Sequence, residues 1–237
     1  LEETIGLEAG RWLLNYRASG YPAVSHSDIY RKVYDPHYRV IKWEFANFFP
    51  VLSAVQHLLF SRREPIVVSI DGRCGSGKSS LAKLIQKVFS CNVFHMDDFY
   101  LPSQQRAATW ESIPAGNMDL KRFREEVLLP AKAGRGVIYR PYDCQNCRLS
   151  EPIYFSPARL NVIEGSYSQH PLLADQYDLK LFLTCDPEVQ KKRLEAREGD
   201  KVSIFFFHWI PMEERYFNVF AIENNSDLVL DTGRLLE

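Results

Sequence analysis

Residues 66–80 read IVVSIDGRCGSGKSS. The first half, IVVSID, is a short, β-branched, apolar run of the kind buried in a parallel sheet. The second half sets three glycines and a lysine directly behind it. Glycine is costly in any ordered element, so such a cluster marks a place where backbone must come very close to something else. After the loop, Leu81, Leu84, Ile85, Val88 and Phe89 fall on one face of a helix. The order is therefore strand, glycine loop, helix.

Working outward, four more short apolar runs have the same character: NVFHMD (92–97), NVIEG (161–165), LKLFLT (179–184) and DLVLDT (227–232). Helical or irregular segments separate them, which predicts an α/β fold with a mostly parallel sheet and helices on both faces. Asp186 and Pro187 have the chemistry of an N-cap and first turn for a helix carrying Lys191, Lys192, Arg193 and Arg197. Upstream, Ile41, Phe45, Phe48, Leu52, Val55 and Leu59 recur at helical spacing, with Pro50 expected to kink or divide the helix. Residues 1–62 thus read as a helical N-terminal extension and 63–237 as the main domain, with a lid around 187–215. Trp12, Trp43 and the phenylalanines of the extension read as core or docking surface.

The composition bounds what such a domain does. The 237 residues are 46% hydrophobic and 25% charged, an ordinary globular balance. Lys plus Arg number 29 against 30 Asp plus Glu, a net charge of −1 that supplies no field for a nucleic-acid backbone. No apolar run reaches the ~20 residues of a membrane span, and LEETIGLEAG lacks a signal-peptide layout, so a cytoplasmic protein is expected, with no membrane partner. The five cysteines are odd in number and scattered, which suits reduced thiols. Cys144 and Cys147 form a CxxC pair without two further ligands at zinc-site spacing, and read as loop cysteines. A homo-oligomer is not indicated.

Gly72 to Ser79 fits GxxxxGK(S/T) in full, between a buried strand and an amphipathic helix. Gly72, Arg73, Cys74, Gly75, Ser76, Gly77, Lys78, Ser79 and Ser80 are the predicted nucleotide-binding residues. The amides from Gly75 to Ser79 can ring an anion at the positive end of the following helix, and Lys78 reaches the β and γ phosphates. The Ser79 hydroxyl offers one oxygen to Mg2+, and Glu164 is the candidate carboxylate on the metal side. Asp97 and Asp98 end the second strand at the sheet's carboxyl edge. A carboxylate there can accept a hydroxyl proton, although an acidic pair also suits a solvated turn. Phe99 and Tyr100 beside them suggest an enclosed pocket. Arg193 and Arg197 read either as a solvated face or as lid cations that stabilise a transferring phosphoryl group.

DGRCGSGKSS, MDDFY (96–100), NMD (117–119), RPYD (140–143), VIEG (162–165) and DPEVQKKRLEAR (186–197) follow the order and rough spacing of the uridine kinase family. That family also resembles phosphoribulokinase and bacterial pantothenate kinase. The resemblance covers residues 65–198 and extends to the last strand. It implies ATP- or GTP-dependent phosphorylation of a nucleoside 5′-hydroxyl. By motif, Asp97 resembles the catalytic base, Asp119 a ribose-hydroxyl ligand, Arg140 and Tyr142 the substrate side with Tyr142 against a pyrimidine, and Arg197 a lid arginine. Asp119 also suits an N-cap for LKRFREEVLL, and Tyr142 a packed loop residue. Where family members carry a phenylalanine and a histidine after the YD tyrosine, this chain has Cys144 and Cys147. The stretch KVSIFFFHWIPMEERYF (201–217) is more aromatic than such a lid requires and receives no role. Another small alcohol as acceptor, or a nucleotide-driven switch, are the other readings. No NKxD or LSGGQ-type motif supports the switch.

Overall fold

The structure is a computed structural model and describes residues 7–20, 26–35 and 41–233, the side chains of residues 7–10, 12 and 13 excepted. The reading of the first residues as lacking a leader lies outside the described residues. The chain divides into two compact units, residues 1–49 and 50–237. The first contains helices α1 (Leu7–Ala18), α2 (Asp28–Tyr34) and α3 (Trp43–Asn47). Ser27 caps α2, its hydroxyl accepting from the Tyr30 N–H at 3.2 Å. Trp43 is exposed rather than core.

The second unit opens on α4 (Phe49–Ser61), whose first residue belongs to the first unit. The helical pattern breaks at Phe48 and restarts with Pro50 in the first turn, where a missing N–H costs nothing. Val51, Leu52 and Val55 are buried, so α4 contributes core to the second unit, whereas the spacing of the sequence had placed it with the extension.

Five strands form the central sheet: β1 (Ile66–Gly72), β2 (Asn92–His95), β7 (Leu160–Glu164), β8 (Leu179–Thr184) and β9 (Leu228–Asp231). Their order is β2-β7-β1-β8-β9, and every pairing is parallel. These are the five runs read from the sequence. Every residue of β1 and β7 is buried, as continuous apolar strands covered on both faces require. The helix after the glycine loop, α5 (Lys78–Val88), packs against β1, β2 and β7. Val67, Phe94, Ile163 and Phe182 belong to one core cluster with Phe123, Val127 and Leu128 from the helical stretch 120–132 (α6) and Tyr216 and Phe217 from the helical stretch 199–219 (α9). The chain leaves β1 for the far edge at β2 and returns past β1 to β8, so the carboxyl ends of β1 and β7 flank the point where ligands bind in open α/β sheets.

Between β2 and β7 an insertion carries 3-10 turns, α6, and two small antiparallel ladders, β3 (Val137–Tyr139) with β6 (Ile153–Phe155) and β4 (Tyr142–Asp143) with β5 (Arg148–Leu149). After β8, α7 having been Pro171–Ala174, come α8 (Pro187–Glu198), α9 and β9. Asp186 caps α8, accepting from the Glu188 N–H at 2.9 Å.

The end of β1 is set by a close approach. At Gly72 (φ +137°) a Cβ would lie 2.0 Å from the Leu183 carbonyl oxygen of β8. Gly75 (φ +76°) has 3.5 Å of clearance to its nearest neighbour, the Leu194 side chain. Gly72→Ala is therefore expected to cost about 3 kcal/mol or more, through a forced backbone shift, and Gly75→Ala about 1–2 kcal/mol, the left-handed backbone penalty. Urea denaturation of the two variants checks the difference, and equal costs would be contrary to the packing described.

Candidate active site

The glycine loop is held from outside by its carbonyls. Gln190 Nε2 donates to the Cys74 carbonyl at 2.8 Å, Arg193 to the Gly75 carbonyl at 3.3 Å, and the Thr232 hydroxyl to the Ser76 carbonyl at 2.8 Å. With those oxygens turned outward, the amides at the start of α5 face the cavity, at the positive end of a helix dipole. Lys78 Nζ curls back to the Gly72 and Arg73 carbonyls at 2.6 and 3.0 Å, which fixes the ammonium at the mouth of the loop.

A second set of contacts comes from α9. Glu213 accepts from the Cys74 N–H at 3.0 Å and from the Ser166 hydroxyl. Glu214 takes the Arg73 guanidinium at 2.6 and 3.1 Å, and Thr184 accepts a third Arg73 bond at 2.5 Å. Tyr216 donates to Asp71 at 2.8 Å. Asp71 is wholly buried and also accepts from the Gly72 and Gln169 amides at 2.7 and 2.9 Å. Burial lifts its pKa to about 6 despite these donors.

At the ends of β2 and β7, Glu164 accepts from the Ser79 hydroxyl at 3.2 Å and meets His95 Nδ1 at 2.6 Å. Burial opposes ionisation of Glu164, but the His95 contact, the Lys78 charge and the Ser79 hydroxyl together outweigh it and hold the carboxyl below its ordinary value, while the His95 bond raises His95. An anionic carboxylate beside a hydroxyl, two hard oxygens and no more, fits the few protein ligands Mg2+ takes next to phosphate oxygens and water.

The adjacent aspartates diverge. Asp97 accepts from the Tyr100 hydroxyl at 3.0 Å and lines the cavity. Asp98 is held by the Tyr139 hydroxyl at 2.7 Å, its backbone carbonyl accepts from Arg122 at 3.2 Å, and burial raises its pKa.

One cavity of about 970 Å³ joins these parts. It is lined by Cys74, Gly75, Gly77, Lys78, Ser79 and Ser80 of the loop, by Asp97 and Tyr100, by Glu164, and by Arg193 and Arg197. Of the remaining lining residues, Arg106, Asn117, Cys144, Tyr167, Phe205 and Trp209 are among those not read from the sequence as site residues. Phe205 and Trp209 give the aromatic stretch 201–217 a place on the cavity wall. Arg193 is anchored to Thr232 as well as to the loop, and Arg197 pairs with Glu198 at 2.5 Å and lies over Phe205.

Other expected site residues are not brought to the cavity. Gly72 and Ser76 are buried behind it, and the Arg73 side chain turns towards α9. Asp119 is the N-cap of α6, accepting from the Arg122 N–H at 3.1 Å. Arg140 donates to the Ser150 carbonyl at 2.6 Å, and Tyr142 is packed in the β4–β5 ladder. For Asp119 and Tyr142 the local alternatives, a cap and a packed loop residue, describe the structure.

A central parallel sheet whose middle strand runs into this lysine-bearing glycine loop is the α/β fold of P-loop nucleotide-binding proteins. No family model matches the chain. Uridine kinase of Streptococcus agalactiae is 24% identical over 196 residues, 71% of this chain and 91% of its own. Nicotinamide riboside kinase of Schizosaccharomyces pombe is 27% identical over 164 residues, 58% of this chain and 68% of its own. The fold matches that of a Bacillus stearothermophilus protein described as a possible uridine kinase (TM-score 0.58, 21% identity, 78% of this chain and 99% of that one). It also matches a candidate fructose transport system kinase of Silicibacter sp. TM1040 (TM-score 0.54, 21% identity, 81% and 100%). Sequence likeness and shared fold together support the uridine kinase-like family that the motifs resemble.

The Asp71 carboxyl makes stability pH-dependent with a definite sign. Its folded pKa of about 6 lies above the ordinary 3.8, so ionisation penalises the folded state, and the penalty is relieved as pH falls through 6 towards 4. The full effect is about 3 kcal/mol at ~1.4 kcal/mol per pKa unit. His170, pushed down to about 4 by burial, pulls the opposite way over the same range. The difference between wild type and Asp71→Asn isolates the first. Wild-type stability is expected to gain on the variant as pH drops from 7 to 5, and parallel melting curves would contradict it.

Proposed function

We propose that the protein is an NTP-dependent kinase that transfers the γ-phosphoryl group to the 5′-hydroxyl of a nucleoside, uridine or cytidine in the first instance. The observation that carries this reading is the single cavity shared by the phosphate loop and Asp97. A nucleotide seated on the loop and an acceptor beside Asp97 then occupy one shared space, which is what positioning for direct transfer requires.

In this scheme Asp97 accepts the acceptor's hydroxyl proton as the oxygen bonds to the γ-phosphorus and the bond to the β-phosphate oxygen breaks. Tyr100 donates to Asp97 and holds its carboxylate in place. Lys78, the loop amides and the lid arginines 193 and 197 stabilise charge on the transferring group. Ser79 and Glu164 would hold Mg2+, which when bound neutralises phosphate charge. His95 keeps Glu164 ionised through its hydrogen bond. ATP or GTP serves as donor in this scheme. Asp119, Arg140 and Tyr142 are given no part in it.

The second reading, a different small alcohol, is favoured by Cys144 in the cavity wall, where the family pattern carries a phenylalanine. NDP release over a panel of uridine, cytidine, nicotinamide riboside, pantothenate and sugars, with ATP and with GTP, separates the two. Slow NTP hydrolysis indifferent to every acceptor would point to a switch instead.

Three substitutions test the scheme. Lys78→Ala is expected to reduce turnover by roughly 10²-fold or more, and near-normal activity in the folded variant would refute the assignment. Asp97→Asn should lower turnover by roughly 10² to 10⁴ with NTP binding retained. Asp98→Asn should act mainly on stability, through the Tyr139 contact, and a larger kinetic loss there than at Asp97 would reverse the roles.

A further inference from the structure

One polar side chain in the cavity wall is explained by none of these contacts. Asn117 is 1% exposed and lines the cavity, and neither its Oδ1 nor its Nδ2 has a hydrogen-bond partner. Of the unpartnered buried side chains among the described residues, it alone lines the cavity. Buried polar groups are paired in the great majority of cases, and leaving one unpaired is costly.

The backbone around Asn117 is, by contrast, fixed on both sides. The Leu101 N–H donates to its carbonyl at 2.8 Å, the Asp119 N–H to the Phe99 carbonyl at 2.7 Å, and Tyr100 bridges Met118. The turn before it is wound tightly, with Ala115 at φ +59° and Gly116 so placed that a Cβ would come within 2.4 Å of the Trp110 carbonyl oxygen. The chain therefore presents this amide rigidly, on a segment laced to residues 99–101, directly after Asp97 and Asp98. That is the acceptor side of the cavity rather than the phosphate side.

We propose that Asn117 determines acceptor specificity by pairing with a planar group that presents a donor and an acceptor side by side: the edge of a pyrimidine base or a carboxamide. A primary amide offers both functions, and a half-turn of its terminal torsion exchanges them. Uracil and cytosine edges, whose donors and acceptors are interchanged, are thus both complemented. This rests on the nucleoside-kinase reading for the location of the acceptor, but it concerns binding and is separable from transfer.

The experiment is calorimetric titration of the full chain, without NTP, with uridine, cytidine, nicotinamide riboside, pantothenate, ribose and fructose. Wild type is compared with the near-isosteric Asn117→Leu, which removes both polar atoms, and with Asn117→Asp, which removes the donor and keeps the shape should the leucine variant not fold. Affinity for amide-bearing ligands is expected to fall about 10- to 100-fold, with ATP or GTP affinity unchanged within about twofold. Equal affinities in wild type and variants, binding of ribose or fructose alone, or binding of no probe would each overturn the inference. Loss of nucleoside binding in the variants alongside a wild type that phosphorylates nothing would uphold it and remove the kinase reading. Nucleoside turnover with an unchanged acceptor KM in Asn117→Leu would do the reverse.

Discussion

The amides of a phosphate loop can face an anion only if its carbonyls are held elsewhere. Here Gln190 and Arg193 of α8 and Thr232 after β9 take three successive carbonyls. These residues come from segments more than a hundred positions beyond the loop. The Arg193 bond is charge-assisted, though the longest of the three, and it is made by a side chain that also lines the cavity. Loop geometry and the cavity wall are thus joined in one residue.

The grip from α9 adds to this. Glu213, Glu214 and Tyr216 hold Cys74, Arg73 and Asp71, three residues against three across the entrance to the loop. A carboxylate on the Cys74 amide is well matched, because that N–H lies outside the ring formed from Gly75 onward. The cost of burying Asp71 is an expression of the same arrangement: the carboxyl sits where three donors converge, but in a place so dry that its ionised form is still disfavoured. Stability near neutrality is lowered so that the end of β1 is locked.

Much of this could be read in the chain, and the physical reasons are plain. The five sheet strands were legible because each is a short, mainly apolar run set between helical or irregular segments, and the loop because its glycines and lysine have few other uses. The ladders β3–β6 and β4–β5 were not, since strands of two or three residues carry no periodicity. Asp119 and Tyr142 stood in a familiar order, yet the first caps α6 and the second packs in a ladder. A motif preserves order and not direction. The aromatic run 201–217 had no evident role until α9 placed Phe205 and Trp209 on the cavity wall. Asn117 stood in the NMD stretch without a role of its own, because what distinguishes it is the lack of a partner in a fully folded environment.

The aspartate pair shows how local geometry settles what composition leaves open. Residues 96–99 form a 3-10 turn, Met96–Phe99. With about three residues per turn, consecutive side chains diverge by roughly a third of a revolution, so two adjacent carboxylates cannot both face one cavity. Asp98 goes to the interior, where Tyr139 donates to it and Arg122 packs over Phe99. Asp97 is left towards the cavity with Tyr100 beside it. Met96 and Phe99, wholly buried on either side, fix the phase of the turn. The two apolar residues therefore decide which acid faces the cavity, and the acids' own chemistry, identical in both, does not.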